Sequence, residues 1–293
     1  MNEDLMREAG FGGTFKTYKN LSVDNGSNIS GSDATGEFVE LSFNNETKEK
    51  IKKQHGKSFD GVILLSRAVL TYRDNTQTKK KIWETEEFNP LITKKRDGEK
   101  ALIPIYKLDF NGQRQKDDNG KFIVEYAYYD DLSTGKKANI KELDFSYTIV
   151  LYILIFEEET GNKEIVKLRF RGASRGNFFK YQQNLWKEFR LKSVELYTTF
   201  SVYLENTYGK YAVSFKPVLL EDGQPMKYNN MAEIEDEIGS LLLDYNNKKE
   251  SLAAPSNFNT FKIANQEIKS IEEVKDAQTE AIDNKIKVED IPF

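Results

Sequence analysis

The chain has 293 residues, of which 12% are aromatic, and a formal net charge of −4 at pH 7. It contains no cysteine and one histidine, which excludes disulfides and zinc sites of the Cys/His kind and indicates a reducing compartment. The first ten residues lack an apolar core of the signal-peptide kind, and no apolar run is long enough to cross a bilayer. We therefore expect a cytoplasmic protein with one large domain and appendages.

The N-terminal third predicts an arm followed by strands. Residues 1–35 are rich in Gly, Asn and Ser without a sustained period, which is typical of a flexible arm. Residues 37–43 alternate as a strand does, and the lysine-rich segment 45–56 is consistent with a short helix. Residues 61–73 and 79–83 flank a polar turn and predict a hairpin.

The remainder of the body predicts further strands and two helices. Strands are predicted over 101–110, 121–129, 144–156, 163–171, 193–204 and 208–218. Ser174 is a predicted N-cap for a helix over 175–189, and residues 230–246 predict an amphipathic helix. Successive hairpins without a βαβ rhythm favour an antiparallel barrel or sandwich within residues 36–250. Residues 251–293 are polar and acidic and predict a disordered tail.

Charge is distributed unevenly along the chain. Between residues 161 and 217, eleven Lys and Arg stand against four Glu, an excess of seven positive charges. Between residues 233 and 293, fourteen Asp and Glu stand against seven Lys, an excess of seven negative charges. A basic body with an acidic tail is the asymmetry expected of a nucleic-acid binder that regulates its own access.

The strongest candidate surface for single-stranded nucleic acid lies in the basic segment. Such binding needs cations for the phosphates and aromatic faces for unstacked bases. Alternation predicts one shared strand face for three cations: Lys167, Arg169 and Arg171. The next segment interleaves cations with aromatic residues: Arg175, Phe178, Lys180 and Tyr181. For any single aromatic of this helix, a place in the core is the more common alternative.

A second candidate surface surrounds the tip of the first hairpin. It consists of Tyr72, Arg73, Lys79, Lys80, Lys81 and Trp83. A hairpin that folds over a groove clamps a bound strand, whereas a triple lysine beside a turn is also an ordinary device for solubility. The sequence leaves both readings open.

Patterns typical of enzymes are weak in this sequence. It contains no Gly-rich phosphate loop, and His55 lies in a polar, lysine-rich segment. The pairs Asp117-Asp118 and Asp130-Asp131 are candidates for Mg²⁺, but aspartate in a turn is also favoured for backbone reasons. We expect a non-catalytic protein without a metal or other cofactor.

The last five residues have the chemistry of a docking segment: Glu289, Asp290, Ile291, Pro292 and Phe293. An aromatic ring can enter an apolar pocket, proline reduces the backbone freedom lost on binding, and the carboxylates attract a basic surface. This ending resembles the acidic tip of bacterial single-stranded DNA-binding proteins, which closes with Ile-Pro-Phe. The acidic run is only two residues long, and the chain is longer than a typical bacterial member of that family. In these respects the chain is more similar to the single-stranded DNA-binding proteins of bacteriophages.

The resemblance covers only this tip. It implies binding of single-stranded DNA during replication, recombination or repair, with the tip recruiting partner enzymes in the cytoplasm of a bacterial host. Together with the strand pattern it favours an OB-like barrel with an inserted helix and long hairpins. Two alternatives remain: an interaction protein that uses the tip to occupy host pockets without binding DNA, and a Mg²⁺-dependent nuclease for single strands.

Overall fold

The computed structural model describes residues 18–25, 34–43, 50–73, 81–89, 102–109, 112–128, 144–156, 162–207 and 209–250. The strands are β1 Lys19–Val23, β2 Phe38–Phe43, β3 Lys50–Gln54, β4 Ser58–Arg73, β5 Lys81–Thr85, β6 Leu102–Lys107, β7 Val124–Tyr128, β8 Asp144–Phe156, β9 Lys163–Phe170, β10 Tyr197–Glu205 and β11 Lys210–Pro217. The helices are α1 Ala173–Phe189 and α2 Met231–Glu250, and a 3-10 turn spans Ser193–Glu195. Of the helices described, none combines the length and apolar character needed to cross a bilayer.

The predicted hairpins are confirmed, but two N-terminal predictions are wrong. Strands β4–β5, β8–β9 and β10–β11 pair as antiparallel neighbours. The lysine-rich segment contains β3, because its backbone pairs with β2 at the edge of the sheet. The expected flexible arm contains β1, which pairs with β2 and β9 and buries Leu21 at 2% exposure. The rest of the arm up to residue 17 and the tail from residue 251 lie outside the described residues.

The strands form one open, mixed sheet, so the expected OB-like antiparallel barrel is not confirmed. The order along the sheet is β3-β2-β1-β9-β8-β4-β5-β6-β7, and β10 and β11 branch from β4. The pairing of β1 with β9 is parallel. The sheet branches because the long strand β4 has different partners along one edge, β10 beside its first five residues and β5 beside its last three.

The two helices lie against opposite faces of this sheet. On the face that we call the α1 side, Phe178 and Leu185 of α1 pack with Leu151 of β8 and Leu168 of β9. On the other face, the α2 side, Ile234 and Leu241 of α2 pack in one cluster with buried residues of β4 and β8. Both faces of the central strands are therefore covered in part, which explains the nearly continuous apolar sequence of β8.

Helix α1 is fixed to strand β11 through side chains near its N-terminus. The predicted N-cap is wrong, because the helix begins after Gly172 and Ser174 lies in its first turn. The Ser174 hydroxyl accepts the backbone N–H of Val213 at 2.9 Å. The Asn177 amide donates to the Val213 carbonyl at 2.8 Å. Polar side chains that favour helix starts are used here to satisfy the backbone of a sheet edge.

Candidate nucleic-acid interface

The predicted alternation along β9 is confirmed. Val166, Leu168 and Phe170 are buried on the α1 side. Lys167 and Arg169 point to the α2 side, because they lie opposite residues of β8 that belong to the core beneath α2. Arg171 is the first residue after β9 and is exposed. The three predicted cations nevertheless differ in their surroundings.

Lys167 belongs to a packed ion pair. Its ammonium group lies 3.1 Å from the Glu87 carboxylate, and the two side chains are only 19% and 16% exposed. The same ammonium lies 4.7 Å from the ring centroid of Tyr152 and 5.6 Å from that of Tyr18. The Tyr152 hydroxyl donates to Glu87 at 2.5 Å, and burial together with the Glu87 carboxylate raises the pKa of Tyr152. Lys167 is therefore held among protein groups and is a poor candidate for contact with phosphate.

Further along the same face, three arginines lie close enough to Lys81 to act on its charge, and Glu84 contacts two of these four cations. We call Arg73, Lys81, Arg169 and Arg171 the cationic cluster. A β-bulge sets Arg73 opposite Lys81, and Glu84 lies 3.7 Å from Lys81 and 3.5 Å from Arg169. Partial burial lowers the pKa of Lys81, and the Glu84 carboxylate opposes that shift. The positive charges of Arg169, Arg73 and Arg171 lower the pKa further, so the cations repel one another.

The segment between β6 and β7 adds cations and an exposed aromatic ring that the sequence analysis missed. Arg114 lies 3.6 Å above the ring centroid of Tyr106, and the ring of Phe122 meets Tyr106 edge-on with centroids 6.2 Å apart. The Phe122 side chain is 45% exposed, with the Lys116 ammonium 5.2 Å from its ring centroid. Tyr106 lies opposite Glu84 in the sheet, which places this group on the α2 side. The signal in the sequence was the pairing of Arg and Lys with an aromatic residue across a polar turn.

The aromatic residues of the first hairpin lie on the other face. Tyr72 is 5% exposed and belongs to a buried cluster between β4 and β6, and Trp83 packs against that cluster. Burial removes Tyr72 from the candidate surface, because its ring is not accessible to a base. Arg73 and Lys81 of this hairpin belong to the cationic cluster, whereas Lys79 and Lys80 lie outside the described residues.

The candidates on α1 are separated from the cationic cluster by the sheet. Phe178 and Tyr181 are 2% and 4% exposed in the core, and the Tyr181 hydroxyl bonds the Thr198 hydroxyl at 2.6 Å. Core packing removes both rings from the candidate surface. Arg175 lies 5.4 Å from the ring centroid of Tyr147, and Lys180 is exposed. The structure thus divides one predicted surface into two, one on each side of the sheet.

The acidic pair that lies in the described part of the chain has a role in a turn. The Asp117 carboxylate accepts the backbone N–H groups of Asn119 and Lys121, both at 2.9 Å. Among the described residues, no three His, Cys, Asp or Glu side chains are grouped as a metal site. The pair Asp130-Asp131 and the terminal segment 289–293 lie outside the described residues.

This chain was compared with known protein families, curated proteins and solved structures. No match to this chain was found among protein-family models, curated proteins or solved structures. The function is therefore inferred from the arrangement of charged and aromatic side chains on the α2 side and from the sequence of the terminal segment.

Proposed function

We propose that this protein is a non-catalytic single-stranded DNA-binding protein that acts in replication, recombination or repair. The observation that supports the proposal is the convergence of three separate elements on the α2 side. Strand β9 and the residue after it contribute Arg169 and Arg171, the β4–β5 hairpin contributes Arg73 and Lys81, and the β6–β7 segment contributes the exposed Phe122. Cations beside an exposed ring are the two components that sequence-independent binding of single strands requires.

The electrostatics of the cluster favour an anionic ligand. Glu84 contacts Lys81 and Arg169, and the charges of Arg169, Arg73 and Arg171 repel the Lys81 ammonium and lower its pKa in the same direction as its burial does. A phosphate group placed among them removes part of this repulsion and releases counterions from the DNA. The exposed ring of Phe122 supplies a flat face on which an unpaired base can stack. These features together favour a single strand over a duplex, whose bases are already stacked.

A titration with labelled oligo(dT) tests this proposal. Fluorescence anisotropy is measured with the full chain at two salt concentrations, with duplex DNA of equal length as competitor. We expect binding that weakens as salt rises and that duplex DNA does not displace. The absence of binding at low salt, or complete displacement by duplex DNA, contradicts the proposal. Cleavage of the oligonucleotide when Mg²⁺ is added would instead indicate a nuclease.

The terminal segment has a separate proposed role. Residues 289–293 recruit partner enzymes through their aromatic and acidic side chains, and the acidic tail competes with DNA for the cationic cluster. The opposite charge excesses of the body and the tail support this competition. A chain that ends at residue 250 keeps every described element and is expected to bind oligo(dT) more tightly at low salt. Equal affinity of the full and shortened chains contradicts the competition but leaves the recruiting role to be tested with partner proteins.

A further inference from the structure

The Glu84 carboxylate contacts two members of the cationic cluster. Its oxygens lie 3.5 Å from an Arg169 nitrogen and 3.7 Å from the Lys81 ammonium, and the Thr71 hydroxyl donates to it at 3.2 Å. The Glu84 side chain is 21% exposed, whereas those of Arg169 and Lys81 are 38% and 44% exposed. The carboxylate therefore lies below cations that remain accessible from outside.

The contacts of Glu84 are looser than those of the neighbouring Glu87. Glu87 accepts hydrogen bonds from the Tyr152 hydroxyl at 2.5 Å and from Lys167 at 3.1 Å. The distances from Glu84 to its two cations exceed the usual length of a charge-assisted hydrogen bond. Glu84 thus neutralises part of the cluster without using all the donors of the cations. A phosphate that approaches from outside meets the same two cations and is repelled by the carboxylate beneath them.

We propose that Glu84 is an internal competitor for the phosphates of the bound strand, and that its charge sets the affinity of the cationic cluster below its maximum. This inference rests on the proposed function, because it assigns the cluster to nucleic-acid phosphate. A moderated affinity permits the strand to be released when other proteins need it. Glu84 acts through its negative charge, which offsets the charges of Lys81 and Arg169, and it makes no attractive contact with an anion itself.

The test compares Glu84→Gln with a matched control, Glu164→Gln, in the full chain. Glu164 pairs with Lys19 at 2.7 Å and is 32% exposed, so its substitution changes the net charge equally at a different site. Glutamine at position 84 is nearly isosteric and keeps an acceptor for the Thr71 hydroxyl. A second variant, Glu84→Asp, keeps the charge but shortens its reach towards both cations.

We expect Glu84→Gln to bind oligo(dT) about fivefold more tightly at low salt and to show a steeper dependence on salt. Glu84→Asp is expected to lie between the wild type and Glu84→Gln. Glu164→Gln is expected to remain within about twofold of the wild type. Equal changes for Glu84→Gln and Glu164→Gln would mean that only net charge matters, and unchanged affinity for Glu84→Gln would mean that the carboxylate does not compete. Either result overturns the inference.

A second measurement separates this inference from the proposed function. Thermal unfolding of the wild type and of the three variants is followed with and without inorganic tripolyphosphate, a compact polyanion without bases. If the wild type binds no oligo(dT), the proposed function fails. The competition by Glu84 still predicts a larger rise in Tm with tripolyphosphate for Glu84→Gln than for the wild type. Equal shifts in Tm for these two proteins contradict the inference whatever the result with DNA.

Discussion

Residues 167–170 of β9 and residues 175–181 of α1 lie close together in the chain, and both interleave cations with apolar side chains. In the strand, alternation buries every second residue and leaves Arg169 partly exposed on the α2 side. In the helix, Phe178 and Tyr181 lie one turn apart and pack against the α1 side of the sheet. Similar compositions thus produce a surface in one segment and part of the core in the other, because the period of the backbone decides which side chains are buried.

Substitution of the two adjacent phenylalanines of α1 tests this difference with the largest expected effect. Phe178→Ala is expected to lower the free energy of unfolding by about 4 kcal/mol, because it leaves a cavity in the core. Phe179→Ala, at a position that is 53% exposed, is expected to change it by less than about 0.5 kcal/mol. Urea unfolding followed by circular dichroism measures both values. Loss of oligonucleotide affinity without loss of stability in Phe178→Ala would restore this ring to the binding surface.

Charge reversal on each side of the sheet compares the two basic surfaces directly. The double substitution Arg169→Glu with Arg171→Glu is expected to weaken oligo(dT) binding about 100-fold at low salt, because it removes two phosphate contacts and adds repulsion. The matched control is Lys180→Glu with Lys187→Glu, two exposed residues of α1 that give the same change in net charge. We expect the control to weaken binding less than about fivefold. A larger effect in the control would move the interface to the α1 side.

Substitution of Lys167 distinguishes the two kinds of cation on β9. Lys167→Met is expected to lower the free energy of unfolding by about 2 kcal/mol, because it leaves the largely buried Glu87 without its cation. Lys19→Met removes a more exposed pair and is expected to cost less than about 0.5 kcal/mol. Affinity for oligo(dT) should change less than about threefold in Lys167→Met. A large loss of affinity with full stability would show that Lys167 contacts the DNA.

Substitution of exposed aromatic rings is expected to give the smallest effect among these comparisons. Phe122→Ala on the α2 side is expected to weaken oligo(dT) binding about tenfold, because the ring on which one base stacks is removed. Phe179→Ala, an equally truncated ring on the α1 side, serves as its control and should leave affinity unchanged. Anisotropy titrations at one fixed salt concentration measure both. Equal affinities for the two variants would exclude Phe122 as a stacking residue.

Local patterns predicted much of the fold from the sequence. The apolar, β-branched run of β8 and the alternation of β9 gave the central hairpin, and the spacing of Ile234, Ile238 and Leu241 gave α2. Long-range pairing was not predictable from such patterns. The parallel contact of β1 with β9 joins residues that are far apart in sequence, and the edge strand β3 has a helix-compatible, lysine-rich composition. The branching of the sheet at β4 likewise depends on which strands compete for one edge.

The candidate site was predicted only in part, because it also depends on contacts between residues that are far apart in sequence. Alternation placed Arg169 on an outward face, but it could not show that Lys167 two residues earlier is paired with Glu87 of a distant segment. The cationic cluster arises because a bulge in the β4–β5 pair sets Arg73 opposite Lys81. Register and bulges are properties of paired strands and are not encoded in the pattern of either strand alone.

Lysine acetylation of the wild-type chain, with and without oligo(dT), would show most directly which side of the sheet binds DNA. Lys81 is 44% exposed and has a lowered pKa, so a larger fraction of its amine is neutral and reactive. Mass spectrometry after a short pulse measures acetylation at Lys81 and at the α1 residues Lys180 and Lys187. We expect saturating oligo(dT) to protect Lys81 and to leave the two α1 lysines as reactive as before. Protection of Lys180 and Lys187 with Lys81 unchanged would contradict the assignment of the cationic cluster as the DNA-binding surface.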